Sequence, residues 1–206
     1  MRILLPLLFI LPLLAQAPKS GVRWDEIYKG ADAKVPVNPS TLVLEALSSL
    51  NPGDALDIGM GNGRNAVYLA RKGWKVTGID VSGEAVRQAQ AQAAKLGVTL
   101  DARVARFEDI PPYRDRYDLI VCMYVGDVAT RNARKIMDAL KPGGLLVIEG
   151  PHDDADPSQR GYRVNELPRT FGRLRVLRYE DRVLPAEWPA TGETRTPIVR
   201  LVARKP

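Results

Sequence analysis

Residues 55–70 read ALDIGMGNGRNAVYLA, in which a short apolar run leads into three alternate glycines and then into a helical pattern. Glycine lets a backbone turn tightly and approach a ligand closely. In an open parallel α/β sheet the ligand crevice lies at the carboxyl ends of the strands, which is where Gly59, Gly61 and Gly63 fall. The stretch therefore predicts a first strand, a ligand-binding loop and a helix.

The spacing of these glycines argues against a dinucleotide site. That fingerprint places its third glycine five residues after the first, where this chain has Arg64. Asp57 also stands two residues before Gly59, and the resulting Asp-x-Gly-x-Gly-x-Gly pattern suits a ligand that carries an ammonium group. A nicotinamide-dependent enzyme is therefore the weaker alternative.

Outward from this loop, short apolar runs alternate with helical stretches, as is typical of a parallel sheet covered on both faces. The predicted strands are 54–58, 75–80, 99–104, 117–124 and 144–149. The predicted helices between them are 64–72, 83–96 and 129–140. Upstream, residues 18–40 are interpreted as an irregular lead-in to a further helix that Ser40 caps.

The pattern changes after Gly150. A polar loop leads to a short helix near 164–171 and then to two β-type runs, 174–184 and 196–204, joined through 187–192. Two strands joined in this way are antiparallel. The fold class we predict is therefore α/β: a doubly wound, mostly parallel seven-stranded sheet with an antiparallel C-terminal hairpin and helices on both faces.

The composition fits one globular domain. The chain has 206 residues, of which 45% are hydrophobic and 26% charged, as in ordinary folded proteins. Its formal charge is +6, but the cluster of Arg131, Arg134 and Lys135 falls at helical spacing among apolar positions. A solvated helix face is the better interpretation of this cluster, and a nucleic-acid partner is disfavoured.

The N-terminus has the pattern of a secretory signal. A single arginine precedes an apolar run over residues 3–15, and a small-x-small sequence ends at Ala17. Pro18 would impede cleavage, so a short uncleaved anchor is the alternative. We therefore predict a signal peptide or membrane anchor at 1–17, as the only contact with a membrane, and one domain at 18–206. The protein is expected to be exported or membrane-anchored, with a cytoplasm-facing domain as the alternative.

A second anchor of the predicted ligand site is Asp80, the last residue of the strand 75–80. A carboxylate at this place accepts hydrogen bonds from the ribose hydroxyls of a nucleoside that lies across the first two strands. The alternative is that Asp80 caps the helix beginning near Gly83. The glycine loop upstream favours the ribose role.

Together these motifs resemble the S-adenosylmethionine-dependent methyltransferase superfamily, and residues 56–80 are especially similar to its tellurite-resistance type. The sequences YDLIV at 117–121 and LKPGGLLVIE at 140–149 also match the superfamily. The resemblance covers residues 38–150 and continues more loosely to the end. It implies a Rossmann-like class I fold and S-adenosyl-L-methionine as the cofactor.

The resemblance also implies particular cofactor contacts. Gly59, Gly61 and Gly63 would contact the methionine end, and Asp57 would serve its ammonium group. Asp80 would bind the ribose, with Val81 as a neighbouring contact.

The adenine end departs from the pattern of the superfamily. Many relatives have an acidic residue and then a small one after the third strand, where this chain reads ARFED at 105–109. The acceptor for the adenine amino group must then come from Glu108 or Asp109, while the Phe107 amide meets the ring. Tyr124, just after the fourth strand, stands where relatives commonly contact cofactor or substrate.

Arg64 begins a helix, where a cation opposes the helix dipole. We expect the methionine carboxylate of the cofactor to compensate, with Asn65 nearby. Pairing of Arg64 with a surface acid is the alternative.

A general base is optional for methyl transfer, since the sulfonium already supplies an activated methyl group. His152, the only histidine, follows the fifth strand at the ligand-facing edge and is the candidate base. A solvent-exposed loop histidine is the equal alternative. The acidic residues beside it lack the spacing of a metal site, so no metal is predicted.

Trp24, Tyr28 and the loop 151–161 are candidates to close over the crevice, and core packing of the two aromatics is the alternative. The sequence as a whole predicts an enzyme that transfers a methyl group from S-adenosylmethionine to a small-molecule acceptor by in-line displacement. A cofactor-binding protein of the same fold without turnover is the alternative.

Overall fold

The computed structural model describes residues 19–30, 35–48, 50–155, 161–185, 187–188 and 195–206. The strands are β1 Asp54–Ile58, β2 Lys75–Asp80, β3 Asp101–Val104, β4 Tyr117–Met123, β5 Leu140–Pro151, β6 Arg175–Pro185 and β7 Arg195–Arg204. The helices are α1 Lys19–Lys29, α2 Thr41–Leu47, α3 Arg64–Arg71, α4 Gly83–Lys95, α5 Val128–Arg131, α6 Ala133–Ala139 and α7 Glu166–Thr170. A short 3-10 turn, Phe107–Asp109, takes the place of a helix between β3 and β4.

The seven strands form one sheet in the order β3-β2-β1-β4-β5-β7-β6. The first five strands pair in parallel, whereas β7 pairs antiparallel with both β5 and β6. The predicted fold class, including the antiparallel C-terminal hairpin, is confirmed. The strand order reverses between β1 and β4, and ligands of such sheets bind at the carboxyl ends of the strands at this switch point.

Each face of the sheet packs against helices through its own apolar core. In β4, Ile120 and Cys122 belong to the core on one face, whereas Leu119 and Val121 belong to the core on the other. All four side chains are fully buried. Burial on both faces explains why this strand appears in the sequence as a continuous apolar run.

The prediction of an irregular lead-in at 18–40 is wrong for Lys19–Lys29, which form α1. This helix docks on the start of α4. The Asp25 carboxylate accepts hydrogen bonds from the Ser82 hydroxyl at 2.6 Å and from the Glu84 amide at 2.9 Å. Such tertiary contacts stabilise a short helix whose local composition is a poor guide to its structure.

Ser40 precedes α2 as predicted, but its side chain forms no capping hydrogen bond. Its backbone amide instead donates to the side-chain Oδ1 atom of Asn65 at 2.8 Å, which ties α2 to the start of α3. The helix predicted at 129–140 is interrupted at Asn132, and residues 140–143 belong to β5.

The predicted N-terminal segment at 1–17 lies outside the described residues, as do most of the predicted connection at 187–192 and the part of the 151–161 loop from 156 to 160. Among the residues that the structure does describe, no helix combines the length and apolar character required to cross a membrane.

Candidate active site

A cleft of about 770 Å³ opens at the carboxyl ends of β1, β2 and β4, where the topology predicts a ligand site. Most of the residues that the sequence analysis singled out line it. They are Gly59, Gly61, Arg64, Asn65, Asp80, Val81, Phe107, Glu108 and Tyr124. Asp57, Gly63 and His152 are not among the lining residues.

The loop after β1 is built from glycines in the left-handed region. Gly59, Gly61 and Gly63 have φ angles of 69°, 58° and 84°. A side chain at Gly61 would also overlap the hydroxyl of Tyr28, which lies directly over the loop. The loop therefore presents bare backbone to the cleft, as a close-fitting ligand requires.

Asp80 holds this loop in place. Its two carboxylate oxygens accept hydrogen bonds from the Gly61 amide at 2.8 Å and the Ser82 amide at 2.9 Å. The cap of α4 comes from other groups, because the Ser82 hydroxyl accepts from the Ala85 amide and Asp25 accepts from the Glu84 amide. Asp80 is thus left facing the cleft, and burial raises the pKa of its carboxyl.

Asp57 lies beneath the loop and is 1% exposed. Within the described part of the chain, neither of its carboxylate oxygens has a hydrogen-bond partner. Burial raises the pKa of Asp57 to about 7, although the positive charge of Arg64 and the nearby Ala66 amide work in the opposite direction. A buried acceptor that lacks a well-formed hydrogen bond is costly, so a ligand donor that reached Asp57 would relieve this cost.

Arg64 is buried at the start of α3, and its Nη1 atom lies 3.2 Å from the Glu187 carboxylate. The same atom donates to the Asn38 carbonyl oxygen at 3.4 Å. The alternative prediction was that Arg64 pairs with a surface acid. The structure does pair Arg64 with an acid, Glu187, but this acid is largely buried. Binding of a cofactor carboxylate by Arg64 and Asn65 stays a prediction.

At the opposite end of the cleft the Phe107 ring is buried, and Lys135 secures the turn that carries it. The Lys135 ammonium donates to the carbonyl oxygens of Phe107 and Glu108 at 2.6 and 3.2 Å, and also to that of Ile110. The Glu108 carboxylate lies 3.3 Å from Arg131 at the edge of the cleft. Glu108 is thus close enough to the cleft for the predicted adenine contact, but it already has a cationic partner.

Tyr124 follows β4 with a φ of 56°, a conformation that non-glycine residues rarely adopt. Its amide donates to the Glu149 carbonyl oxygen at 2.7 Å, and its hydroxyl accepts from the Glu187 amide at 3.2 Å. Burial and the nearby Glu149 carboxylate raise the pKa of the Tyr124 phenol. Tyr124 lines the cleft, and its contact with cofactor or substrate stays a prediction.

His152 is buried and is not among the residues that line the cleft, and its role as a base stays a prediction. It is 5% exposed, so the alternative of a solvent-exposed histidine is wrong. Its Nδ1 accepts a hydrogen bond from the Asp154 amide at 3.1 Å, which leaves the proton of a neutral ring on Nε2, 3.7 Å from Asp181. Its contacts are those of a residue that orders the segment after β5.

One side of the cleft is aromatic and combines Trp24 and Tyr28, which were predicted to close over it, with Trp188, which was not predicted. Trp188, between β6 and β7, contacts Trp24 and Tyr28 of α1, with ring centroids 6.4 and 6.3 Å apart. All three rings line the cleft. We call these residues the aromatic wall. Trp24, Ile27 and Tyr28 are spaced as one face of a helix, a signal that was available in the sequence.

The basic cluster on α5 and α6 is largely engaged in local contacts. Arg131 pairs with Glu108 and Asp127, Arg134 approaches Asp138 at 3.9 Å, and Lys135 binds backbone carbonyls. Arg134 is 90% exposed. These positions agree with a solvated helix face.

Comparison with known proteins agrees with this architecture. Residues 55–144 match the family model of a methyltransferase domain. The solved structure of TehB from Haemophilus influenzae has a TM-score of 0.72 to this chain at 19% identity, and the match covers 89% of this chain and 67% of that one. The fold and the family match together define a class I methyltransferase fold.

Two curated relatives extend the comparison. The chain is 40% identical over 108 residues to a ubiquinone biosynthesis O-methyltransferase from Methylobacterium nodulans, over 51% of this chain and 41% of that protein. It is 34% identical over 118 residues to a ribosomal RNA small subunit methyltransferase C from Alcanivorax borkumensis, over 52% of this chain and 36% of that protein. The chain thus spans less than half the length of these relatives. The match to the family model shows that residues 55–144 are similar to a methyltransferase domain, as the resemblance to the S-adenosylmethionine-dependent superfamily predicted.

The residues of the cleft fit the cofactor of this superfamily. Asp57 places a buried carboxylate beneath the glycine loop, behind the lining of the cleft, on the side where the resemblance expects the ammonium group. Asp80 stands at the end of β2, within reach of a ribose. Assignment of the individual contacts stays a prediction.

Proposed function

We propose that this protein transfers a methyl group from S-adenosylmethionine to a small-molecule acceptor. The observation that carries the proposal is the pair of buried carboxylates at the ends of β1 and β2, with Asp57 lacking any described hydrogen-bond partner beneath a glycine loop. This arrangement suits a ligand that has an ammonium group at one end and a ribose farther along.

The cofactor, when bound, supplies an activated methyl group on a sulfonium. The chain's own task is then to hold the two reactants in line and to exclude water. Asp57, Gly61 and Asp80 would fix the cofactor, while the aromatic wall would shield the opposite side of the cleft. No residue needs to form a covalent intermediate.

The shape of the cleft supports a small acceptor. Trp24, Tyr28 and Trp188 line one side of it, and an aromatic wall of this kind favours a compact acceptor. An extended nucleic-acid strand would require an open, basic surface instead.

Calorimetric titration of the full chain with S-adenosylmethionine, and separately with NAD, tests the proposed cofactor. We expect micromolar binding of the methyl donor, its loss in Asp80→Ala and no binding of NAD. Asp101→Ala is the matched control, because Asp101 is an exposed carboxylate on the neighbouring β3, paired with Arg103. A folded protein that binds NAD but not the methyl donor would refute the proposal.

Turnover separates an enzyme from a binding protein of the same fold. Radiolabelled methyl donor would be incubated with the full chain and a panel of thiols, phenols and small metabolites. Labelled product above the Asp80→Ala background supports methyl transfer. Tight cofactor binding with no product from any acceptor class would favour the binding protein.

We further propose that residues 1–17 export the protein or anchor it in a membrane, ahead of one methyltransferase domain at 18–206. Support comes from the apolar run at 3–15 and the small-x-small sequence that ends at Ala17. Fractionation of cells that express the full chain, compared with a chain whose residues 3–15 carry two added arginines, tests this. Identical cytosolic recovery of both chains would contradict it.

A further inference from the structure

Two residues between β6 and β7 reach back across the molecule to the cleft. Glu187 pairs with Arg64 at the start of α3, and Trp188 belongs to the aromatic wall. The hairpin that completes the sheet thereby takes part in the ligand site.

Glu187 is held by groups from three separate elements. One carboxylate oxygen lies 3.2 Å from Arg64 Nη1, and the other accepts from the Thr41 amide at 2.9 Å and the Thr41 hydroxyl at 2.6 Å. The Glu187 amide donates to the Tyr124 hydroxyl at 3.2 Å. Burial alone would raise the pKa of Glu187, but the Thr41 hydrogen bonds and the Arg64 charge outweigh it and lower that pKa.

The next residue has no polar anchor of its own among the contacts described. The Trp188 ring meets Trp24 at an interplanar angle of 66° and Tyr28 at 54°, both edge-on or tilted arrangements that aromatic pairs favour. Through Tyr28, whose hydroxyl lies over Gly61, this wall extends to the glycine loop.

We propose that Glu187 is a positioning residue: it fixes the chain so that Trp188 completes the aromatic wall, and this wall controls how fast the cleft releases its ligand. A carboxylate bound by an arginine, a hydroxyl and an amide has few other orientations, so the residue that follows it is held as well. Only the identity of the ligand rests on the proposed function; the placement of Trp188 does not.

The first test needs no ligand. Acrylamide quenching of tryptophan fluorescence is measured for the full chain and for Glu187→Gln, each with and without Trp188→Phe, so that subtraction isolates Trp188. We expect Trp188 to become several-fold more accessible in Glu187→Gln. The matched control is Glu45→Gln, because Glu45 also joins α2 to the hairpin, through Arg178, but is more exposed. Equal quenching in Glu187→Gln and the parent chain would overturn the proposal.

The second test measures release of S-adenosylhomocysteine by stopped flow. Trp188→Ala is expected to raise the dissociation rate about tenfold, since an aromatic contact is lost from the wall. Glu187→Gln should have a similar effect, while Trp188→Phe and Glu45→Gln should stay near the parent rate. A purely structural role for Glu187 would lower the melting temperature without changing the release rate of the folded fraction.

The two tests separate the proposals. Absence of S-adenosylhomocysteine binding by the parent chain would remove the proposed cofactor, yet quenching would still decide whether Glu187 positions Trp188. Should Glu187→Gln fail to fold, Thr41→Val removes one donor to the same carboxylate and retains the ion pair. That variant should increase Trp188 accessibility by a smaller amount, and no increase would refute the role of Glu187.

Discussion

The Asp80 carboxylate accepts a hydrogen bond from the Gly61 amide at 2.8 Å, so the end of β2 and the loop after β1 form a single unit. Two motifs that lie apart in the sequence are thereby fixed side by side at the carboxyl edge of the sheet. A substitution in either motif is expected to disturb the other, and binding measurements on the loop therefore also report on Asp80.

Gly61→Ala should damage the cleft more than a comparable substitution elsewhere. Gly61 and Gly97 both have positive φ angles, 58° and 66°, but only at Gly61 would a Cβ atom overlap another group, the Tyr28 hydroxyl. Backbone strain costs both variants about 1 kcal/mol, and the overlap adds about 1–3 kcal/mol at Gly61. Urea unfolding checks the difference, and Tyr28→Phe should recover part of the loss. Equal destabilisation by both alanines would contradict the packing argument.

Asp57→Asn should stabilise the ligand-free protein at alkaline pH. The pKa of Asp57 is raised from 3.8 to about 7, mainly by burial, so the folded state favours the protonated carboxyl. This contribution to stability is complete below pH 3.8 and is lost as the pH rises through about 7. We expect Asp57→Asn to be about 1–3 kcal/mol more stable than the parent at pH 8, with little difference near pH 4. Chemical unfolding at both pH values measures this.

The affinity for S-adenosylhomocysteine should depend on pH in the direction opposite to that of stability. An ammonium group gains most from Asp57 when the carboxylate is ionised, so affinity for S-adenosylhomocysteine should rise between pH 6 and pH 8, across the raised pKa of about 7. Asp57→Asn should flatten this rise. Adenosine, which lacks the ammonium group, is the matched ligand control and should bind with no such dependence. A rise that persists in Asp57→Asn would assign the titration to another group.

His152→Ala should lower stability and spare methyl transfer. The ring is buried outside the lining of the cleft, and its Nδ1 accepts the Asp154 amide. Loss of that hydrogen bond should cost about 0.5–1.5 kcal/mol. Thermal unfolding and methyl-transfer rates of the folded variant check this. A large fall in the rate with unchanged stability would instead support the predicted base.

The part of the fold that carries the glycine loop could be predicted from the sequence, because its signals are local. The run from Ala55 to Ala70 contains a buried strand, a glycine turn and a helix start in sequence, and each is fixed by residues a few positions away. The structure confirms β1, the loop and α3 within a residue of the predicted bounds. The same reasoning located Asp80, since a parallel strand must end at the same edge of the sheet.

The aromatic wall could not be predicted in the same way, because it depends on contacts between segments that lie far apart in the sequence. α1 is held through Asp25 by Ser82, and Trp188 meets α1 from a connection near the C-terminus. Nothing local identifies Glu187 as the partner of Arg64, more than a hundred residues away. The position of His152 directly after β5 was predictable, whereas its burial outside the lining of the cleft was not.

The buried pairing of Arg200 with Glu149 is a place where a single substitution should destabilise the fold strongly. The Arg200 Nε atom lies 2.6 Å from the Glu149 carboxylate, between neighbouring strands β7 and β5, and both residues are buried. Arg200→Leu strands a fully buried carboxylate and should cost about 3–5 kcal/mol. Burial already raises the pKa of Glu149, so Arg200→Leu should be least destabilising at low pH, where that carboxyl is protonated.

Adding Glu149→Leu removes the stranded charge and should recover much of the loss, since apolar replacement of a whole buried pair is often tolerated. Urea unfolding of the three variants at pH 5 and pH 8 measures these effects, and a double variant no more stable than Arg200→Leu would mean that packing rather than charge sets the cost.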